Sequence, residues 1–275
     1  MVTAFALVAF ASNSILCRLA LTRTAIDPAT FTSIRLLAGA AVLWLILRVR
    51  DGSHPRTGNW WSGFALFAYA AGFSFAYVHL SAGTGALLLF AAVQATMIGY
   101  GLFRGERLHA VQGAGLVVAL GGLVLLLWPG LTSPPLLPAL LMAGAGMSWG
   151  IYSLRGRGAL DPTGTTAGNF LRSIPFTLAL SAVLVSGMSI DHAGALYAIA
   201  SGALTSALGY IVWYTAVREL PVTIAATVQL SVPLLAAVAG VVIVGEPPKV
   251  ELMLAALLIL GGIALVIHGR PRPVA

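Results

Sequence analysis

The sequence predicts an all-α polytopic membrane protein, with ten transmembrane helices in two inverted five-helix repeats. Composition predicts the class, because 59% of the 275 residues are hydrophobic and only 8% are charged, whereas soluble domains usually carry about 25% charged residues. A soluble fold of this size exposes too much surface to be covered by so few polar side chains. Hydropathy then predicts the number of spans, and an internal repeat predicts their arrangement.

The apolar segments have the length of membrane spans. A helix needs about twenty apolar residues to cross the hydrocarbon core of a bilayer, and short stretches rich in turn-forming residues separate segments of that length. The first segment lacks the Lys- and Arg-rich leader of a signal peptide, so we expect it to be retained as a span. The predicted spans are 3–22, 29–48, 60–80, 83–103, 110–128, 137–154, 164–187, 193–217, 221–244 and 250–268.

The basic residues orient these spans. Ten spans put both termini on one side of the membrane. Ten of the fifteen Lys and Arg residues fall on that side, three fall on the other, and Arg35 and Arg172 lie inside spans. The positive-inside rule therefore predicts that both termini are cytoplasmic. The net charge of +7 follows from this topology and indicates no nucleic-acid partner.

The two halves of the chain resemble each other. Residues 102–126 align with residues 242–266 at a constant offset of 140, which pairs Gly105–Glu106 with Gly245–Glu246. The same alignment pairs two Gly-Gly dipeptides in glycine-rich stretches, where we expect close helix packing. These glycines are Gly113, Gly115, Gly121, Gly122, Gly261 and Gly262.

An Asp-Pro pair near the start of each half supports the duplication, since residues 25–37 resemble residues 159–174. We expect a first repeat at 1–128, a linker at 129–136 and a second repeat at 137–275. Five spans are an odd number, so the second repeat must be inverted. Inverted repeats are typical of secondary transporters, in which the two halves exchange conformations to alternate access between the two sides.

Ten spans in two repeats, each with an apolar-Gly-Glu turn and a Gly-Gly helix, resemble the drug/metabolite transporter superfamily and its EamA-type ten-helix exporters. The segment FASNSILCR is similar to the family's Trp-Gly-x-Asn opening, with Phe10 in place of Trp and Arg18 in place of Lys, and the second half keeps Trp149–Gly150. The resemblance extends to bacterial aromatic amino acid exporters and covers essentially the whole chain. It implies a central cavity and efflux of amino acids or related metabolites across the bacterial inner membrane.

Two arginines are candidates for the site. A charge at bilayer depth costs roughly 2.5–3.5 kcal/mol even on lenient scales, so Arg35 and Arg172 are expected to face protein or water. One interpretation is a guanidinium fork that binds a substrate carboxylate. The other is a structural role, in which each arginine holds carbonyls at helix ends or extends to the headgroups. The duplication favours the structural role, because one asymmetric amino acid rarely needs two equivalent arginines.

Aromatic side chains are concentrated on a few helix faces. Tyr69, Phe73 and Tyr77 follow one another at i, i+4 and i+8 in the third span. A cavity lined by rings would accommodate an apolar or aromatic side chain, although ordinary packing between helices predicts the same pattern. The other aromatic candidates are Trp149, Tyr152, Tyr210, Trp213 and Tyr214.

Polar side chains within the spans complete the candidate site. Pro233 removes the helical donor to the carbonyl of Gln229, and such a break is tolerated where backbone lines a cavity or is covered by protein. Asn169 lies on the same helical face as Arg172. His79 is the histidine placed near the pathway that can titrate around neutral pH. The remaining candidates are Asn13, Gln94 and Tyr100.

Several other protein classes are disfavoured by missing motifs. No Asp or Glu lies in the middle of a span, which disfavours an intramembrane aspartyl protease and a carboxylate-coupled exporter of cationic drugs. The chain also lacks a Gly-x-Ser-x-Gly elbow, a phosphate-binding loop for nucleotides and a cluster of metal ligands. We therefore expect no enzymatic activity, catalytic residue, metal or cofactor. The expected partners are the lipid bilayer and a small-molecule substrate, with a functional monomer.

Two substrate classes remain. The first is a neutral amino acid with an aromatic or other apolar side chain. The second is an anionic metabolite such as a sugar phosphate, with a broad-specificity drug exporter as a further alternative. A phosphate dianion needs several convergent cations, whereas the spans contain two arginines and no lysine. This favours the amino acid and leaves open facilitated diffusion or coupling through His79.

Overall fold

The computed structural model describes residues 2–51, 57–103, 109–127, 134–156, 159–219, 229 and 231–268. All regular structure in these residues is helical, which confirms the predicted all-α class. The Gly105–Glu106 pair, linker residues 129–133 and most of the predicted ninth span before residue 231 lie outside the described residues.

The described helices begin and end within a few residues of the predicted spans, except at the start of the ninth span, which lies outside the described residues. The first seven are single α-helices: α1 Val2–Arg23, α2 Pro28–Asp51, α3 Trp60–Tyr77, α4 Ala82–Phe103, α5 Ala110–Leu127, α6 Leu136–Gly156 and α7 Pro162–Val183. A 3-10 turn at Val185–Gly187 follows α7. Helix α8 consists of three consecutive segments, His192–Ala200, the π-helical Ser201–Leu208 and Gly209–Glu219. Helix α9 is Ser231–Ala239 with a π-helical end at Gly240–Val244, and α10 is Val250–His268.

The Asp27–Pro28 pair begins α2 and connects it to the segment before α8. Asp27 Oδ1 accepts hydrogen bonds from the backbone N–H groups of Ala29 (2.9 Å) and Thr30 (3.0 Å), and Oδ2 accepts one from that of Ser189 (2.9 Å). Partial burial acts to raise the pKa of Asp27, but these hydrogen bonds together outweigh it and lower that pKa. Pro28 occupies the first helical position, where no N–H is needed.

Helix packing follows the pattern expected of two related halves. Three contacts join corresponding helices, α2 with α7, α4 with α9 and α5 with α10. The other main contacts form equivalent pairs when each helix of α1–α5 is matched to its counterpart in α6–α10. The contact α3–α6 corresponds to α8–α1, α4–α6 to α9–α1, and α3–α7 to α8–α2. This agreement supports the two-repeat architecture.

Glycine lets α5 and α10 approach each other closely. A Cβ on Gly262 would lie 2.4 Å from the backbone nitrogen of Ala119, and one on Gly115 would lie 2.6 Å from the carbonyl oxygen of Gly262. A Cβ on Gly122 would lie 2.7 Å from the Cβ of Leu258 in α10. The expectation of close packing is wrong for Gly113, Gly121 and Gly261, because a Cβ at these positions would have nothing within 4 Å.

The outer surface of the helices is apolar and the interior contains polar groups. Phe103, Val49 and Trp61 are 89%, 80% and 76% exposed, whereas the charged side chain of Arg35 is buried. Five described helical segments are long and apolar enough to cross a membrane, and three further apolar helices are shorter. The five are Thr3–Arg23, Pro28–Arg50, Ala82–Phe103, Leu136–Gly156 and His192–Ala216.

Candidate functional site

A cluster of buried rings fills the space where α1, α3, α6, α7 and α8 meet, and we call it the aromatic core. Trp149 is central to it, with ring centroids 4.7 Å from Tyr210, 5.0 Å from Tyr69 and 5.6 Å from both Phe10 and Tyr152. These are favourable distances for aromatic pairs. The aromatic core consists of Phe10, Tyr69, Phe73, Tyr77, Trp149, Tyr152, Phe170, Tyr210, Trp213 and Tyr214, and each residue is at most 7% exposed.

Arg35 projects from α2 against this core and is 1% exposed. Its Nε donates to Ser206 Oγ (3.1 Å), and its Nη2 donates to the hydroxyl oxygens of Tyr69 (3.2 Å) and Tyr210 (3.1 Å). Its Cζ atom lies 5.1 Å from the ring centroids of both Tyr69 and Phe73, within the range of cation–π attraction. The guanidinium is therefore held by neutral groups.

The charge of Arg35 has no counter-ion among the described residues. The ion pairs found there join Arg18 to Glu246 and Arg50 to Asp161. Nη1 of Arg35 is buried and has no hydrogen-bond partner in the described part of the chain. Within the described residues, the hydrogen-bond partners of Arg35 are side-chain hydroxyls of α3 and α8, with no backbone carbonyl among them.

The π-helical segment of α8 positions the polar partners. Ser201 and Thr205 donate to Asn13 Oδ1 at 2.6 Å and 3.1 Å, and Asn13 in turn donates to the Tyr69 hydroxyl at 3.2 Å. Gly202 allows the segment to touch α2, because its Cβ would lie 2.1 Å from the carbonyl oxygen of Arg35. A π turn inside an α-helix is frequent at functional sites.

A pocket borders the aromatic core on the side of α4. Its cavity volume is about 10 Å³, the space of about one water molecule. Tyr69 and Phe73 line it and also contact the guanidinium of Arg35, so the pocket and the charge share these two rings. The lining residues are Phe10, Ser14, Tyr69, Phe73, Leu89, Phe90 and Trp149.

Most residues predicted for the site meet in this region. Asn13 belongs to the polar network, and six predicted aromatic residues belong to the core: Tyr77, Trp149, Tyr152, Tyr210, Trp213 and Tyr214. Gln94 and Gln229 are buried in α4 and before α9. His79 is exposed directly after α3, and Tyr100 is 45% exposed on α4, so the structure does not place these two in the core.

Arg172 and Asn169 have a different environment from Arg35. Arg172 Nη1 donates to the carbonyl oxygens of Thr57 (3.0 Å) and Gly168 (2.9 Å). Asn169 Oδ1 accepts from the backbone N–H of Asn59 (3.0 Å), the residue that caps α3. Both side chains thus connect the segment before α3 to α7.

Sequence reasoning missed the hydroxyl groups of α8. In the sequence, Ser201, Thr205 and Ser206 look like ordinary small residues of a span. The signal available for their shared face is that Thr205 and Ser206 follow Ser201 by four and five residues. A five-residue spacing fits one face of a π-helix, which the sequence alone did not indicate.

A second polar cluster lies between α1, α4 and α9. Glu246 accepts hydrogen bonds from Arg18 Nε (3.0 Å) and from the backbone N–H of Ala82 at the start of α4 (2.9 Å). A carboxylate at a helix N-terminus is also favoured by the helix dipole. Arg18 donates to the carbonyls of Tyr77 and Val78 as well, so this cluster joins both repeats.

The sequence of this chain matches a known protein family. The EamA-like transporter family matches the chain twice, over residues 1–128 and 136–268. An uncharacterized protein of Pseudomonas aeruginosa is 51% identical over 271 residues, which cover 98% of this chain and 94% of that protein.

A more distant relative and a solved structure extend the comparison. A protein of Streptantibioticus cattleyicolor named as a probable terminal-alkyne amino-acid exporter is 27% identical over 203 residues, covering 72% of this chain and 68% of its own length. A crystal structure of another protein superposes on 96% of this chain and 97% of its own chain, with a TM-score of 0.70 and 21% identity. At this identity the superposition shows a shared fold.

Proposed function

Because the chain belongs to the EamA-like transporter family and is an integral membrane protein, we propose that it exports neutral amino acids with aromatic or other apolar side chains, and related metabolites. The observation that carries this proposal is the buried aromatic core beside a single cationic side chain. Rings suit an apolar or aromatic substrate group, and the guanidinium suits a carboxylate. A relative named as an amino-acid exporter supports the same substrate class.

Transport by alternating access between two inverted repeats is the proposed mechanism. The two family matches support a division into residues 1–128 and 137–275 joined at 129–136, and the paired helix contacts support a rocking motion of the halves. The Arg18–Glu246 cluster would then close one end of the pathway and separate during transport. The charge distribution supports cytoplasmic termini in the bacterial inner membrane, and one monomer contains both repeats.

The alternative substrates are disfavoured by the charge of the core. Arg35 is the one buried charged side chain in the described part of the chain. A sugar phosphate would need more cations to replace its hydration. A cationic drug would be repelled by the guanidinium.

Uptake into proteoliposomes tests the proposal. The purified protein would be given labelled Thr, Met, Phe or Trp, with a sugar phosphate as control, with and without an imposed pH gradient. We expect saturable flux of Phe or Trp and none of the phosphate, and the effect of the gradient would separate facilitated diffusion from proton coupling. Flux of the sugar phosphate alone would refute the substrate class.

A further inference from the structure

The buried guanidinium of Arg35 has fewer hydrogen-bond partners than donors, and no opposite charge beside it among the described residues. Burying a cation is unfavourable unless opposite charge or hydrogen bonds replace its hydration. Hydroxyl groups and ring faces replace part of it, but they carry no negative charge. Among the described residues, no carboxylate pairs with Arg35 and its Nη1 has no acceptor. An anion at Nη1 would supply both an acceptor and a negative charge.

The donors around Arg35 suit a carboxylate. Nε and Nη2 are already used, by Ser206 and by the hydroxyl oxygens of Tyr69 and Tyr210. The Tyr69 and Tyr210 hydroxyls accept from Arg35 and also interact with each other, so one of their two protons can be donated to an incoming oxygen. One carboxylate oxygen can bind Nη1 while the other binds a tyrosine hydroxyl, which gives two charge-assisted hydrogen bonds.

The pocket marks the side of the aromatic core on which the apolar part of such a ligand would lie. Tyr69 and Phe73 contact the guanidinium and also line the pocket, whose other walls are apolar except for Ser14. The pocket has room for about one water molecule, so the rings must separate before a ligand with a carboxylate at one end and an apolar group at the other can place both groups in matching surroundings.

We infer that Arg35, Tyr69 and Tyr210 bind the carboxylate of the transported solute, so that the protein accepts solutes with a free carboxylate and rejects their neutral or cationic derivatives. This inference rests on the proposed function, because it assigns the part of the amino acid that the buried charge recognises. Arg172 differs from Arg35, since its Nη1 already donates to two backbone carbonyls.

Ligand binding to the detergent-solubilised full-length protein tests the inference. Tryptophan fluorescence is a suitable signal because Trp149 and Trp213 lie in the aromatic core. The ligands are phenylalanine, 3-phenylpropionate, which keeps the carboxylate but lacks the amine, and phenylalaninamide, which keeps the amine but lacks the carboxylate. We expect the wild type to bind phenylalanine and 3-phenylpropionate at least tenfold more tightly than the amide. In R35Q we expect that preference to disappear.

Matched variants separate binding from folding. R172K serves as the arginine control and should keep the preference for the carboxylate. If R35Q fails to fold, Y210F retains the ring and removes one hydroxyl, and it should weaken phenylalanine binding severalfold while the amide is unaffected. A Y210F or R35Q protein with the wild-type preference would overturn the inference.

The outcomes distinguish this inference from the proposed function. If the wild type transports phenylalanine and R35Q retains the preference for the carboxylate, the carboxylate assignment is wrong while the amino-acid exporter stands. If the wild type neither binds nor transports any amino acid, the proposed function is wrong. If sodium chloride competes for Arg35 while phenylalanine does not bind there, the site holds an inorganic anion and the inference is overturned.

Discussion

Replacing Gly202 with alanine tests how closely α8 must approach α2 at the site. The new Cβ would lie 2.1 Å from the carbonyl oxygen of Arg35, 2.8 Å from its carbonyl carbon and 3.0 Å from its Cα. Ordinary van der Waals contact begins at 3.4 Å. Because the clashing atoms belong to the backbone, no side-chain rotation can relieve the contact. The two helices must therefore separate by about 1 Å, and overpacking of this kind typically costs about 1–3 kcal/mol.

The same displacement reaches the polar network. Ser206 is one turn beyond Gly202, and its hydroxyl lies 3.1 Å from Arg35 Nε. A shift of about 1 Å would stretch that hydrogen bond beyond useful length. We expect G202A to lower the thermal unfolding midpoint in detergent and to reduce amino-acid uptake in proteoliposomes.

The control for G202A is Gly144→Ala in α6, where a Cβ would have nothing within 4 Å. Surface substitutions of this kind usually change stability by less than about 0.5 kcal/mol. If G202A has the same unfolding midpoint as G144A and transports at the wild-type rate, the close approach of α2 and α8 is refuted. The account of how Arg35 is positioned is then wrong as well.

Three further predictions concern packing, the second polar cluster and pH. G262A should destabilise the α5–α10 contact by about 1–3 kcal/mol while its neighbour G261A does not, and equal unfolding midpoints would contradict the packing described here. E246Q should lower the unfolding free energy by about 1 kcal/mol relative to E251Q, since it removes a partly buried charge from an ion pair. Equal unfolding free energies of the two variants in urea titrations would argue against that role. The lowered pKa of Asp27 means that its carboxylate stabilises the fold above pH 3.8 and loses this effect as the pH falls through the folded-state value. D27N should therefore be less stable than wild type at neutral pH, and the gap in unfolding midpoint should narrow below pH 3.8; a constant gap would contradict this.

The two embedded arginines illustrate how far sequence reasoning reaches. Their similar positions in the two repeats predict similar roles, and the duplication favours a structural role for both. Arg172 donates to the backbone carbonyls of Thr57 and Gly168, but Arg35 lies among hydroxyls and rings without a counter-ion in the described part of the chain. The environments differ because each arginine contacts helices from the other repeat, and the residues there are not equivalent.

The glycine-rich stretches and the isolated polar residues show the same limit. A Gly-Gly pair predicts a close helix contact but not which of the two glycines faces the partner, since that depends on the rotation of α5 against α10. His79 and Tyr100 lie in apolar segments, yet one is exposed after α3 and the other is half-exposed on α4. Helices that are hydrophobic on all sides have no amphipathic pattern to indicate which face is buried.

The sequence by itself determined the membrane class, the helical segments and the repeated Gly-Glu and Asp-Pro features. These depend on composition, span length and local turn chemistry, each of which can be read along the chain. Only the tertiary structure decided that Asn13, Arg35, Tyr69, Ser206 and Tyr210 form one network, because they come from four helices whose relative rotation and depth are set by packing. It also decided that a π-helical segment and Gly202 bring α8 onto α2, because a change of helical register depends on the contacts that stabilise it.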